Sequence, residues 1–320
     1  MSTSLSPSEI SYIITGLSHS SHPTRQDGRG LLDTRPISIS YGEAPQANGS
    51  ARVVLGGTQV VAGVRLEVGD VEPDLGNKGW RGKIEVDVTL PPLDTVHQYP
   101  LGPFPSFSPG IADPPADKVS PGYRTLLFLH SLNPRNHRYF IPHLHLTLLS
   151  SSGSVPFVLA LAARAAFSDL RIPKIKRIGW EDVASRTAEG ELDAAGIKGA
   201  VRVGKAKGKG KSRGEEWDLD MDDGEGLESL QGREKLPILV TLNLVPGSEA
   251  VVMDASAQEE VACPDRLHCF FFFNGSGKLC GLRMEGGEGL DVGRIRPLLE
   301  QAKSIASTLI IEVNAQIPQQ

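Results

Sequence analysis

Charge density near the N-terminus is the first chemistry this sequence offers. Arg25, Asp27, Arg29, Asp33 and Arg35 place five ionisable side chains within eleven residues, just ahead of an apolar stretch. Groups so close to a core either neutralise one another or hold an external anion such as phosphate. The first use is expected: an ion-pair network that pins a loop, with Arg25, Asp27, Arg29 and Arg35 in it. A second candidate is His143 with His145, which share a face of any strand containing them, and His137 nearby. Zinc needs further placed ligands, so no metal is expected there. Lys205, Lys207, Lys209, Lys211 and Arg213, followed by Asp218, Asp220, Asp222, Asp223 and Glu225, make a third. The basic half suits RNA, but two opposite charge runs in one polar segment predict a solvated, disordered loop. Gly286-Gly287-Glu288-Gly289 precedes no lysine and reads as a turn, and no nucleophile elbow is present, so no cofactor is expected.

The elements that must position these groups follow from periodicity and punctuation. Ser6, Pro7 and Glu9 have the form of an N-cap, a first-turn proline and a capping-box acid, predicting a helix to about Leu17 with Ile10, Ile13, Ile14 and Leu17 as its apolar stripe. Pro36 to Gly42 alternates Ile37, Ile39 and Tyr41 with serines, a strand period. Asn48-Gly49 predicts a tight turn into the β-branched runs 51–55 and 60–68, which Gly56-Gly57 separates, so a three-strand meander is expected. Ile84, Val86, Val88 and Leu90 alternate with polar residues as a half-exposed strand. The proline-dense segment 100–122 reads as a loop. Tyr139 to Leu149 predicts a strand with Pro142 at an edge or bulge, and Phe157 to Leu170 a helix ended by Arg171-Ile172-Pro173. Four strands follow, over 238–245, 249–253, 267–273 and 278–284, the third carrying Phe270 to Phe273 and so buried on both faces. A last helix, about 291–313, has Leu298, Ala302, Ile305, Ala306 and Leu309 on one side.

Composition bounds the setting. A chain of 320 residues can bury one large or two smaller cores. Three cysteines, Cys263, Cys269 and Cys280, form no CxxC pair, which predicts a reducing, intracellular setting rather than a disulfide framework. No export signal or membrane span is legible. A net charge of −5 and a pI near 5.9 disfavour unaided nucleic-acid binding, so any RNA contact must be local or shared with a partner.

The element order gives an α+β chain of two sheet-plus-helix halves, and it resembles the ribonuclease PH family. The resemblance rests on RQDGR with Arg35, on NGSARV and GGTQVVAGV, on AARAAFSDLRIPKI, on LPILVTLNLVPGSEAVVMDASAQEE and on GKLCGLRMEGGEGLDVGRI. It implies a ribonuclease PH-like fold whose N-terminal half is of the ribosomal protein S5 domain 2-like type. The expected division is 1–203, a charged insertion at 204–233, a C-terminal part at 234–313 and a tail at 314–320. VMDASAQEE followed by a Gly-x-Gly segment resembles the ribosomal-RNA-processing protein 42 type, a non-catalytic ring subunit of the RNA exosome.

Active members of the family trim RNA 3′ ends with inorganic phosphate, and the resemblance tells where their parts would sit. Their Gly-Thr-Arg at a helix start holds the anion; Gly153-Ser154-Val155 stands there instead, a degenerate phosphate site without a guanidinium. Their two aspartates six residues apart correspond to a region offering Asp254, Glu259, Glu260 and Asp265. Glu259 and Asp265 keep the spacing, but Pro264 and Arg266 flank the latter, and a structural use of these carboxylates is expected. Channel-lining arginines of ring relatives point to Arg81, Arg124, Arg135 and Arg138 as candidate RNA contacts. The implied role is a catalytically inactive scaffold without a cofactor, partnered by other ribonuclease PH-like ring subunits, RNA-binding cap subunits, RNA in the central channel and an associated nuclease, in the nucleus, nucleolus and cytoplasm. An active phosphate-dependent 3′-5′ exoribonuclease is the alternative, and a binding module unconnected with RNA a third reading.

Overall fold

The structure is a computed structural model that describes residues 5–70, 85–89, 138–173, 175–178, 216–219, 226–274, 276–287 and 289–318. Helix α1 (Pro7–Ser18) begins at the expected capping box: Ser6 N–H donates to Glu9 Oε2 at 2.7 Å and Glu9 N–H to Ser6 Oγ at 3.3 Å. Strands β1 (Ile37–Tyr41), β2 (Gly49–Leu55) and β3 (Thr58–Asp70) form the antiparallel meander. Strand β5 (Arg138–Ser150) pairs with β3, and β4 (Glu85–Thr89) runs parallel to β5, so the first sheet has the order β1-β2-β3-β5-β4. A second sheet, β11-β10-β12-β13, comprises β10 (Ile238–Leu244), β11 (Val251–Met253), β12 (Arg266–Asn274) and β13 (Ser276–Glu285). Helix α2 is Val155–Ser168, α3 is Ala257–Ala262 and α4 is Val292–Ala315.

Helix α2 packs on β2, β3, β5 and also β10, while α4 packs on β10 and β12. One apolar core therefore runs from Val53, Val60 and Leu146 of the first sheet through Phe157, Val158 and Leu161 of α2 to Val240, Leu242 and Leu267 of the second. Adjacent Phe271 and Phe272 point to opposite faces of β12, and both are buried, as a strand covered on two sides requires. A smaller cluster of Ile13, Leu17, Val252, Ala255 and Cys263 seats α1 against α3 and the edge of the second sheet.

Four expectations need correction or refinement. Gly49 does not form a tight turn: it opens β2, and the connection from β1 spans 42–48, with Gly42 at φ +76. Asn48 acts as a strut, its side-chain oxygen accepting from Leu66 N–H and its carbonyl from Arg171 N–H. A side chain at Gly49 would approach Ala166 O and Leu170 Cα to 2.6 Å, so glycine is needed for close approach to α2. Pro142 is a local edge of β5 rather than a bulge. It pairs with Leu66 one residue before β4 begins its own pairing at His143, where a missing N–H costs no bond to β4. Third, the span 204–233 is not wholly a disordered insertion: β8 (Glu216–Leu219) pairs with β7 (Ile175–Ile178), β9 (Leu227–Ser229) with β6 (Arg171–Pro173), and a 3₁₀ turn follows at Arg233–Lys235. Pairing across the chain, invisible to local periodicity, makes these strands. Fourth, Ala257–Ala262 is helical, and the second helix begins at Val155, two residues before Phe157 and at the helix start the resemblance places near Ser154. The proline-dense segment and the lysine-rich run lie outside the described residues.

Gly49→Ala is expected to lower stability by about 3 kcal/mol, because the obstructing atoms are backbone. Gly63→Ala, whose methyl would meet only Ala47 Cβ at 3.7 Å, should change it by less than about 1 kcal/mol. Urea unfolding midpoints of the two variants check the contrast.

Candidate functional site

The N-terminal charges and the acidic segment meet where β11 ends, α3 begins and α2 starts. Arg25 is buried, and its Nε and Nη2 donate to Glu259 Oε1 and Oε2 at 2.9 and 2.7 Å, a two-point ion pair across 234 positions of sequence. Its remaining donors go to the carbonyls of Gly30, Asp33, Met253 and Asp254. Asp254, fully buried, is bound by two more arginines. Its Oδ2 accepts from Arg29 Nη1 at 2.9 Å and from Arg35 N–H and Nε at 2.8 Å each, and its Oδ1 from Arg35 Nη2 at 2.5 Å. Asp254 holds φ +48, a left-handed conformation that a non-glycine residue adopts at a cost. Four donated bonds hold it there.

Asp27 sits at the rim, 2.7 Å from Arg29, with 42% of its side chain exposed. Its pKa is lowered: burial opposes this, and the hydrogen bonds and charge of Arg29 outweigh burial. The pKa of Arg35 is raised although burial alone would lower it, because Asp254 is so close. The structure thus brings Arg25, Asp27, Arg29 and Arg35 together with Asp254 and Glu259 in one network.

Gly153, Ser154 and Val155 form the approach to α2. Gly153 has φ +107, and a Cβ there would come within 2.4 Å of Ala255 O; Ser154 caps the helix in a left-handed conformation, φ +55. Ser154 N–H, buried at the N-cap of α2, donates to Glu260 Oε1 at 2.9 Å. Arg266 Nη1 stands 3.8 Å behind that oxygen. Val155 is buried in the core and presents no donor. Thr58 and Ser152 complete the frame, Thr58 Oγ1 donating to Gly153 O and Arg35 Nη1 to Ser152 Oγ at 2.6 Å.

The six-residue spacing of Glu259 and Asp265 does not make a carboxylate pair directed at one target. Glu259 is turned to Arg25 and to Ser256 N–H in a second capping box, whereas the Asp265 carboxylate lies against Gly286 beyond β13. Cys263 beside them is buried, and burial chiefly pushes its thiol up to about 12. His143 Nε2 lies 3.3 Å from Glu67 Oε2, and His145 is exposed opposite Gly63. Among the described residues no three metal-ligating side chains converge. Arg138 opens β5, while Arg81, Arg124 and Arg135 lie outside the described residues. Ser152, Thr58 and Ser256 carry no sequence signal except Ser256, whose Ser-x-x-Glu spacing marks a helix start. Arg164, also unsignalled, is a buried cation on α2 bonded to Leu236 O, Glu234 O and Asn314 Oδ1; burial lowers its pKa to about 10.

Residues 33–113 match the family model for domain 1 of the 3′ exoribonuclease family. The chain is 24% identical over 315 residues to the exosome complex component rrp42 of Schizosaccharomyces pombe, covering 96% of this chain and 93% of that protein. It is 43% identical over 96 residues to the exosome complex component Rrp42 of Methanopyrus kandleri, 30% of this chain and 32% of that one. Its fold is similar to a chain of the Archaeoglobus fulgidus exosome solved with RNA bound to the active site, with TM-score 0.57, 23% identity and coverage of 95% and 97%.

Arg25→Met should cost about 3–5 kcal/mol, since it strands the buried Glu259 carboxylate, and Arg25→Met with Glu259→Gln should recover most of that loss. Denaturant unfolding of the single and double variants measures it. A single-variant loss below 1 kcal/mol would show that the pair does not hold the site closed.

Proposed function

From a chain that carries a ribonuclease PH-type domain and is homologous over nearly its whole length to an Rrp42 exosome component, we propose a ring subunit of an RNA exosome core that is itself catalytically inactive. It pairs with other ribonuclease PH-like chains beneath RNA-binding cap subunits, and RNA passes through the shared channel to an associated nuclease. Its work is to support 3′-to-5′ processing and degradation of RNA in nucleus, nucleolus and cytoplasm.

The observation that carries the inactive half of this reading is the bond from Ser154 N–H to Glu260. Phosphorolysis needs a phosphate seated beside the 3′-terminal linkage, held by helix amides and a guanidinium. Here an internal carboxylate takes the amide, and its negative charge repels phosphate. Each arginine of the network already serves a carboxylate or carbonyl oxygen. Freeing one would leave a buried carboxylate uncompensated, at a cost of several kcal/mol. Asp254 accepts four bonds from Arg29 and Arg35 and is not free to protonate a leaving oxygen. The acidic balance of the chain fits a subunit that meets RNA within an assembly rather than alone.

The full-length protein, incubated with a 3′-hydroxyl oligoribonucleotide and inorganic phosphate, is expected to release no nucleoside diphosphate. Val155→Arg should not change this, because Glu260 still occupies the helix terminus. Phosphate-dependent release by the unaltered chain, or by Val155→Arg, would contradict the inactive reading.

A further inference from the structure

A second buried guanidinium lies outside the network around Asp254, and its surroundings differ in one respect. Arg25 is paired with the carboxylate of Glu259, whereas Arg164, 4% exposed on α2, has no carboxylate bonded to it among the described residues. Its Nε donates to Leu236 O at 3.2 Å, and its Nη2 to Glu234 O at 3.3 Å and Asn314 Oδ1 at 2.7 Å. All three acceptors are neutral. Its Nη1 is buried without a hydrogen-bond partner among the described residues. Burial lowers its pKa only to about 10, so the group stays a cation at neutral pH.

Tyr41, the last residue of β1, brings a second unanswered donor to the same place. Its hydroxyl is buried and has no hydrogen-bond partner among the described residues. It stands close enough to Arg164 for that charge to oppose the rise that burial gives its pKa. Arg233, another cation near this hydroxyl, donates to the carbonyls of Ser168 and Pro318. The carboxylates whose charge reaches the pair are engaged elsewhere: Asp169 Oδ2 accepts from Ser50 N–H, and the exposed Glu234 carboxylate lies 3.9 Å from Lys235 Nζ. A buried cation without a counter-charge is unfavourable, and a buried polar atom without a partner marks a place for water or an ion. Water answers the hydrogen bonds but not the charge; an anion answers both.

We propose that Arg164 and Tyr41 hold a small inorganic anion of halide size between Nη1 and the phenol hydroxyl. Both donor atoms are closed to solvent, which suits a compact, spherical ion rather than a polyatomic one. Because Arg164 also binds the turn at Arg233–Lys235 and Asn314 of α4, the ion stabilises the joint that α2 makes with both. The inference does not depend on the chain's place in a ring.

Thermal unfolding of the full-length protein at constant ionic strength tests it, with sodium chloride replacing sodium gluconate, whose anion is too large for the site. The midpoint is expected to rise by about 2–3 °C at roughly ten times the chloride Kd, along the curve that one-site binding to the folded state requires. Tyr41→Phe removes only a hydroxyl that has no protein partner, so it should keep its midpoint in gluconate and bind chloride about tenfold more weakly. Arg164→Met should abolish the chloride response. Should that variant fail to fold, Tyr41→Phe decides alone. A midpoint that does not respond to chloride would overturn the proposal and leave an internal water between the two donors. A response of equal size in Tyr41→Phe, or one retained in Arg164→Met, would place the ion elsewhere and overturn it too.

Discussion

Everything around the site depends on one buried guanidinium that has to be satisfied. Arg25 donates six hydrogen bonds, two to the Glu259 carboxylate and four to backbone carbonyls drawn from 30–33 and 253–254. Removing a charged group from water costs several kcal/mol unless its donors are paired, so loop, strand end and α3 must assemble together or not at all. Glu259 in turn caps α3 from the inside, which couples the helix to the ion pair.

The backbone around the network follows the same internal partners. Asp254 sits in a left-handed conformation because Arg29 and Arg35 draw its carboxylate inward, and Ser154 adopts the same region because its N–H must reach Glu260. Strained backbone at a functional site often readies it for a ligand. Here the strain serves internal partners. Gly153 permits the two loops to touch, since any Cβ would collide with Ala255 O. The result is a close junction between the two sheets.

How far this was legible in the sequence differs by the kind of interaction. The Ser6 to Glu9 capping box, the meander from β1 to β3 and the apolar stripe of α4 depend on neighbours in sequence, and periodicity shows them. The Ser256 to Glu259 box has the same spacing, yet its acids sit in a segment whose resemblance draws attention to catalysis, so α3 is easily passed over. Asn48-Gly49 has the form of a hairpin dipeptide, but the constraint on Gly49 comes from Ala166 and Leu170, more than a hundred residues away. The density of charge at 25–35 signals a network; its acceptors at 254 and 259 are set by the fold. That Val155 brings no side-chain donor is visible in the sequence, whereas the bond from Ser154 N–H to Glu260 needs coordinates.

We propose that this chain works as one part of a closed ring, with its own site shut. The most direct test is the native mass of the complex recovered with a tagged copy of the protein from its own cells, with each subunit identified. A stoichiometric hetero-oligomer containing other ribonuclease PH-like chains together with cap subunits is the predicted result. A homo-oligomer of this chain alone would contradict the account.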